Sequence, residues 1–268
     1  MGELVFVGLG LCSERDITLR GVEEARTADN VFAEFYTSLM PNLALSELER
    51  LVGKKITVLS RKDLEEDSGE RILAAARRGK AVFMVPGDPL IATTHVELRV
   101  RAVKAGIKTR IVHNASIISA VAGACGLQNY KFGRSVSIPF PNGGIFYEAP
   151  YDTIKTNKQL GFHTLCFLDI HAEEKRYMTI REAVEILFAL ERKRREKIVT
   201  ADTVAVGIAR AGCVDTVAKA DFINALAQFD FGNPPHCLVF PGKLHFMEAE
   251  ALITLCSAPE KVKELVQK

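Results

Sequence analysis

Short apolar runs alternate with longer amphipathic stretches almost from one end of this chain to the other. No other feature of the sequence limits the fold as strongly. A run of four or five apolar residues stopped by glycine or proline reads as a strand buried on both faces. A stretch with apolar residues three and four apart reads as a helix with one buried stripe. Leu4-Val5-Phe6-Val7 is such a run and ends at Gly8-Leu9-Gly10. Residues 18–28 then place Leu19, Val22 and Ala25 at helical spacing. Further strands are predicted at 31–33, 56–59, 81–85 and 110–112, with helices between them. Ser46 with Glu49 has the spacing of a capping box, opening a helix through Val52.

The pattern restarts at Ser116, which reads as the N-cap of a helix over 117–124. Strands are predicted at 136–139, 163–170, 203–208 and 237–240. Thr179 with Glu182 is a second capping box, opening a long helix to about Arg195, and residues 247–256 form a terminal helix. Residues 139–150, rich in proline and glycine, read as a long exposed loop. Strands separated by helices predict an α/β protein with a mostly parallel sheet. Two such successions, joined near residues 113–115, predict two α/β domains, 1–112 and 113–268, with a cleft between them.

Composition removes several function classes. Apolar residues make up 48% of the 268, enough for a sizeable core, and charged residues 25%, so disorder is not expected. The net charge of +2 is evenly spread, 17 basic against 16 acidic residues through Val112 and 18 against 17 after it. Neither half is a basic module, which argues against nucleic-acid binding. The run Arg192-Lys193-Arg194-Arg195 reads first as a solvated helix end and second as a docking patch. The opening apolar run is too short for a signal peptide or membrane span, so a cytoplasmic protein is expected. Of the six cysteines no two are spaced as CxxC, and reduced, buried thiols without a metal are expected.

Ligands of open parallel sheets collect beyond the carboxyl ends of the strands. Three such places carry unusual residues. Gly8-Leu9-Gly10-Leu11 lets a ligand approach the backbone, or is only a tight turn. It lacks the third glycine of a dinucleotide fingerprint, since position 13 is Ser13. Pro86-Gly87-Asp88-Pro89 is a rigid turn whose backbone suits a small polar ligand. Its alternative reading is a turn with Asp88 or Thr93 as helix cap. His236, after Pro234 and Pro235, is either a ligand contact or a histidine merely hydrogen-bonded in place. No nucleophile–base pair or metal motif appears, which suits a reaction whose activated group arrives on a cofactor.

The string PGDPLIATTH at 86–95, with GLGLCSERDIT at 8–18, resembles the diphthine synthase branch of the tetrapyrrole methylase superfold. FAEFYTS at 32–38, VLSRKDLE at 58–65, FLDIHAEEKRYMT at 167–179, ARAG at 209–212 and FGNPPHCLVFPGKLH at 231–245 extend the likeness over the full length. The resemblance implies two α/β/α domains of tetrapyrrole-methylase type, with S-adenosylmethionine in the cleft between them. Cofactor contacts carry over onto Leu11, Asp88, Ile91, Ser116, Ile117, Leu168, Ala211 and His236. The implied substrate is translation elongation factor two bearing a 3-amino-3-carboxypropyl-histidine, N-methylated repeatedly to trimethylated diphthine. A homodimer is implied, and no metal. The alternative is a methyltransferase acting on a tetrapyrrole precursor. Catalytic residues are not identified: water or His236 would take the amine's proton. Residues 142–147 match no pattern of the family.

Overall fold

A computed structural model describes residues 2–266. The chain divides into two compact units. One takes the residues up to Ile117 together with Ala172–Glu174, the other Ile118–His171 and the residues from Lys175 onward.

In the first unit, strands β1 (Glu3–Gly8), β2 (Asn30–Glu34), β3 (Thr57–Leu59), β4 (Lys80–Val85) and β5 (Lys108–Val112) form one sheet. Its order is β3-β2-β4-β1-β5, and every pairing is parallel. The connections are α1 (Leu19–Arg26), α2 (Leu45–Val52), α3 (Arg61–Glu65), α4 (Glu70–Arg78) and α5 (Val96–Lys104). Because strand side chains alternate faces, the two central strands feed two separate cores. Val5, Val7, Val82 and Met84 pack with Val22, Ala25, Leu48 and Val52 of α1 and α2. Leu4, Phe6, Phe83 and Val85 pack with Ile72, Leu73, Leu98 and Ala102 of α4 and α5. Burial on both faces explains why these strands read as unbroken apolar runs.

The expected Ser46–Glu49 cap does not form. The N-cap of α2 lies two residues earlier, at Ala44, which makes no side-chain cap bond. Leu45 is drawn into the helix by packing on the first core. Glu49 instead accepts from the Ile56 N–H at 3.0 Å and from Lys55 Nζ at 2.7 Å.

The second unit holds α6 (Ile117–Cys125, its first residue at the boundary), β6 (Val136–Ile138), α7 (Ala149–Leu160), β7 (Thr164–Leu168), and the short pair β8 (Ile170–His171) and β9 (Arg176–Tyr177). It continues with α8 (Ile180–Arg194), β10 (Val204–Ala209), β11 (Val217–Phe222), α9 (Ile223–Gln228), β12 (His236–Phe240) and α10 (Phe246–Cys256). Its main sheet runs β11-β10-β12-β7-β6. Only β6 and β7 pair in parallel; the other three pairings are antiparallel. The expectation of a mostly parallel sheet therefore fails here. The link from β10 to β11 is too short for a crossover helix, so it closes as a hairpin.

Two elements differ from the sequence reading. Helix α7 starts at Ala149, where a loop was expected to reach Pro150. Proline in the first helical turn loses no hydrogen bond, so it marks a helix start and not a loop end. Strand β11 has no counterpart among the strands predicted from the sequence, and the helix that follows it starts at Ile223. The Thr179 box opens α8 as predicted, with Thr179 accepting from the Glu182 N–H and Glu182 accepting from that of Thr179. Cys125, Cys166, Cys237 and Cys256 are free and buried.

Candidate functional site

In the first unit the strand order places β4, β1 and β5 side by side, so the loops leaving their carboxyl ends are neighbours. Two of those loops bond directly. Gly10 N–H donates to Gly87 O at 3.2 Å, and Gly87 N–H to Gly10 O at 2.7 Å. The approach is too close for a side chain. A Cβ on Gly8 would lie 2.5 Å from Gly87 O and 2.8 Å from Asn114 Cβ. Gly10 and Gly87 have φ of +85° and +69°, a region that glycine enters without penalty. A Cβ on Gly87 would meet nothing nearer than Ala115 O at 3.9 Å, so that backbone stays open to approach.

The third loop is tied in by side chains. Asn114 Nδ2 donates to Gly8 O and to Asp16 O, both at 2.9 Å. Asp16 in turn accepts from the Cys12 N–H at 2.6 Å, holding the turn after β1. Asp88 is buried and makes no helix cap, against one of the two sequence readings. Helix α5 begins after His95, without a side-chain cap bond. Asp88 Oδ2 instead faces His113 Nδ1 at 2.7 Å and accepts from the Asn114 N–H at 3.3 Å. Thr93 Oγ1 donates back to Pro89 O at 3.4 Å and caps nothing. Leu11, Asp88, Ile91, Ser116 and Ile117 thus stand on three bonded loops at one edge of one sheet. Ile91 is exposed there, and Asp88 is the buried anchor.

The other three predicted positions meet at one edge of the second unit's sheet. His236 opens β12 opposite Ala209, the last residue of β10. The next residue, Cys237, pairs with Phe167, which puts His236 beside Leu168 at the end of β7. Ala211 follows β10 by two residues. Arg210 holds this edge together. Its Nε donates to Asp215 Oδ2 at 2.6 Å, and its Nη1 to the carbonyls of Phe231 (2.8 Å) and Asn233. The Pro234–Pro235 peptide is cis. His236 Nε2 lies 3.2 Å from Gly232 O, which only a ring N–H can satisfy, so Nδ1 is the acceptor nitrogen. That Nδ1 is buried without a hydrogen-bond partner. Burial, chiefly, holds the His236 imidazole below the usual histidine range, and it is a neutral acceptor at pH 7.

Sequence reasoning missed Asn114, Asp16 and Arg210. Arg210 lay inside the ARAG string, and Asn114 is a polar residue directly beyond a strand, which is the signal that marks such a position. Residues 142–147 form a tight turn, Asn142 bonding Ile145 across two glycines of positive φ, with Ile145, Phe146 and Tyr147 exposed. In the 192–195 run Lys193 and Arg194 are held in ion pairs, while Arg192 and Arg195 are exposed at the helix end. Arg194 pairs with Glu148, Asp152 and Glu196, and Lys193 with Glu148. Among the described residues no group of three or more His, Cys, Asp or Glu is placed to hold a metal ion. No described helix is long and apolar enough to cross a membrane.

Comparison with known proteins bears on this arrangement. The model of the tetrapyrrole (corrin/porphyrin) methylases matches residues 3–220. The diphthine synthase of Methanosarcina acetivorans is 51% identical over 266 residues, covering 97% of this chain and 98% of the relative. That of Methanococcus aeolicus is 44% identical, covering 94% and 98%. Among solved structures, a crystal structure of diphthine synthase superposes with a TM-score of 0.89 at 42% identity, covering 98% of this chain and all of that one.

Proposed function

Because this chain belongs to the tetrapyrrole methylase family and, within it, to the diphthine synthases, S-adenosylmethionine-dependent methyltransferases of diphthamide biosynthesis, we propose that it trimethylates elongation factor two. The acceptor is the amino group of a 3-amino-3-carboxypropyl-histidine on that factor, and the product is diphthine. One observation carries the reading: about half of all residues match diphthine synthases over nearly the whole length of both chains. Membership of the wider family alone would equally suit a tetrapyrrole precursor as acceptor. The strings FAEFYTS and FLDIHAEEKRYMT favour the protein acceptor.

The cofactor supplies a methyl carbon made electrophilic by its sulfonium. We assign Leu11, Asp88, Ile91, Ser116, Ile117, Leu168, Ala211 and His236 to hold it. Their chemistry fits. The Gly87 backbone is open to approach, Ile91 offers an exposed apolar wall, and His236 Nδ1 is an unused buried acceptor for an N–H group. Asp88, anchored to His113 and Asn114, keeps the Gly-Asp-Pro turn in one shape. Preorganisation of this kind is the protein's main contribution to a transfer between two bound reactants, worth up to roughly 7–11 kcal/mol. Backbone carbonyls of the turn can add weak CH···O contacts to the polarised methyl.

The reading includes a cytoplasmic homodimer. The decisive experiment incubates the enzyme with S-adenosylmethionine and aminocarboxypropylated elongation factor two and follows intact mass. Stepwise gains of one, two and three methyl groups are expected. No gain, with label passing to a porphyrinoid instead, overturns the assignment.

A further inference from the structure

A second cluster in the first unit lies outside the cofactor contacts. Glu34, the last residue of β2, is fully buried, and His95, just before α5, is 3% exposed. Glu34 Oε2 accepts the backbone N–H groups of Tyr36 (2.9 Å) and Thr37 (3.0 Å). Glu34 Oε1 accepts the Thr37 hydroxyl and lies 3.2 Å from His95 Nε2. A carboxylate already occupied as an acceptor leaves Nε2 the donor, so the ring's lone pair is on Nδ1. Nδ1 has no partner among the described residues, and the ring lines a cavity of about 250 Å³.

The cavity suits a cation. Its lining residues include Glu65 and Glu97, neither in an ion pair among the described residues, with Ser68 and Thr94. The one lining guanidinium, Arg101, is turned to the Ser68 carbonyl and toward Glu70. Tyr36 packs edge-on to the His95 ring, and its buried hydroxyl also lacks a partner. A purely structural histidine has both nitrogens satisfied. One with a carboxylate behind Nε2, an unpaired Nδ1 and a cavity beside the ring has the geometry of an oriented general base.

We propose that His95, held by Glu34, takes the proton from the acceptor's ammonium group, which enters by this cavity. The inference rests on the function proposed above, in which an amine must be deprotonated before each transfer. In each cycle one substrate N–H bond breaks, the proton bonds to Nδ1, and the electron pair stays on the substrate nitrogen. The imidazolium is balanced by the Glu34 carboxylate. The freed pair then forms the N–C bond while the donor's S–C bond breaks with its electrons left on sulfur, and His95 returns its proton to solvent. Three deprotonations consume three N–H bonds, and the quaternary product offers no proton and no lone pair. The valence of the nitrogen therefore ends the series at three methyls.

The test compares wild type, His95→Ala and Glu34→Gln in single-turnover transfer to aminocarboxypropylated elongation factor two across pH 6 to 9, with cofactor affinity measured in parallel. His95→Ala should lose about 10²- to 10⁴-fold in rate, keep its cofactor affinity, and recover partly with added imidazole. The groups facing His95 are Glu34 and Tyr36 (itself under Arg61), with Glu65, Glu97 and Arg101 across the cavity. Glu34→Gln, which keeps the shape but removes the carboxylate behind Nε2, should lower the transfer rate and leave cofactor affinity unchanged. If His95→Ala fails to fold, His95→Gln carries the test, since its amide can still donate to Glu34 but takes no proton. A variant within threefold of wild type with an unchanged pH profile overturns the proposal. So does a loss that imidazole does not relieve and that follows cofactor affinity. A wild type that transfers no methyl overturns the proposed function instead.

Discussion

At the scale of single residues, the site depends on a few side chains that hold backbone in place. Asp88 is buried and receives two donors from the loop after β5. Removing its carboxylate leaves those donors unpaired and frees the turn that carries Ile91. Asp88→Ala is expected to weaken S-adenosylmethionine binding about tenfold, roughly 1.4 kcal/mol. His236→Ala, which deletes the unused Nδ1 acceptor, should act in the same direction. Titration calorimetry checks both, and unchanged affinity in the two variants would remove the assigned site. Asp88 and His236 were readable because each sits among glycines and prolines at a strand end. Asn114 carried the weaker signal of a polar residue beyond a strand, and its role was hidden because its partners Gly8 and Asp16 lie 106 and 98 positions away. Glu34 and His95 were hidden for the same reason, being 61 positions apart.

At the scale of elements, local signals succeeded where no tertiary force opposed them. Thr179 and Glu182 satisfy each other's N–H groups at the start of α8. Thr179→Ala should cost about 1 kcal/mol. Ser46 carries the same signal by spacing, yet α2 begins at Leu45 because that side chain gains more by packing than the box would contribute. Ser46→Ala should therefore leave stability unchanged within a few tenths of a kcal/mol. Urea unfolding of the two variants side by side measures the contrast; equal losses would show that both residues cap. Helix α7 illustrates the reverse error. Pro150 is a breaker inside a helix and a favoured residue at its start, and only the following residues decide which.

Across the whole molecule, two buried ionisable groups of the second unit, His163 and Glu248, add to its acid sensitivity. His163 is fully buried, its Nδ1 accepting the Gly242 N–H at 2.9 Å and its Nε2 donating to Glu248 at 2.9 Å. Both nitrogens are used by the neutral ring. Burial depresses its pKa below the ordinary 6.5, against the opposing pull of Glu248. The folded state therefore binds this proton more weakly than the unfolded chain. The stabilisation is complete above pH 6.5 and is lost as pH falls through the lowered value. Burial alone would raise the Glu248 pKa. The N–H groups of His245 and Gln128, with Lys131 and His163, overcome it and bring the carboxyl to about 2. Its contribution is present above about 4.5 and disappears as pH falls toward 2. Urea midpoints should drop from pH 7.5 to 5.5 and again below 4.5, and His163→Gln should flatten the first drop. A wild type with equal midpoints at pH 7.5 and 5.5 would refute the His163 part.

The amino-acid sequence by itself determined most of the strands and helices, that glycine and proline punctuate the strand ends, and which of those ends carry ligand-type residues. These properties act over a few neighbouring positions, through side-chain period, φ limits and capping. Tertiary structure alone decided that the second sheet is largely antiparallel, that Asn114 binds three loops into one edge, and that Glu34 meets His95. A buried apolar run pairs equally well in either direction, and a polar side chain is indifferent to its partner's place in the chain. Both choices are made by the packing of segments distant in sequence, where burial leaves each hydrogen-bonding group only the partners the fold brings to it.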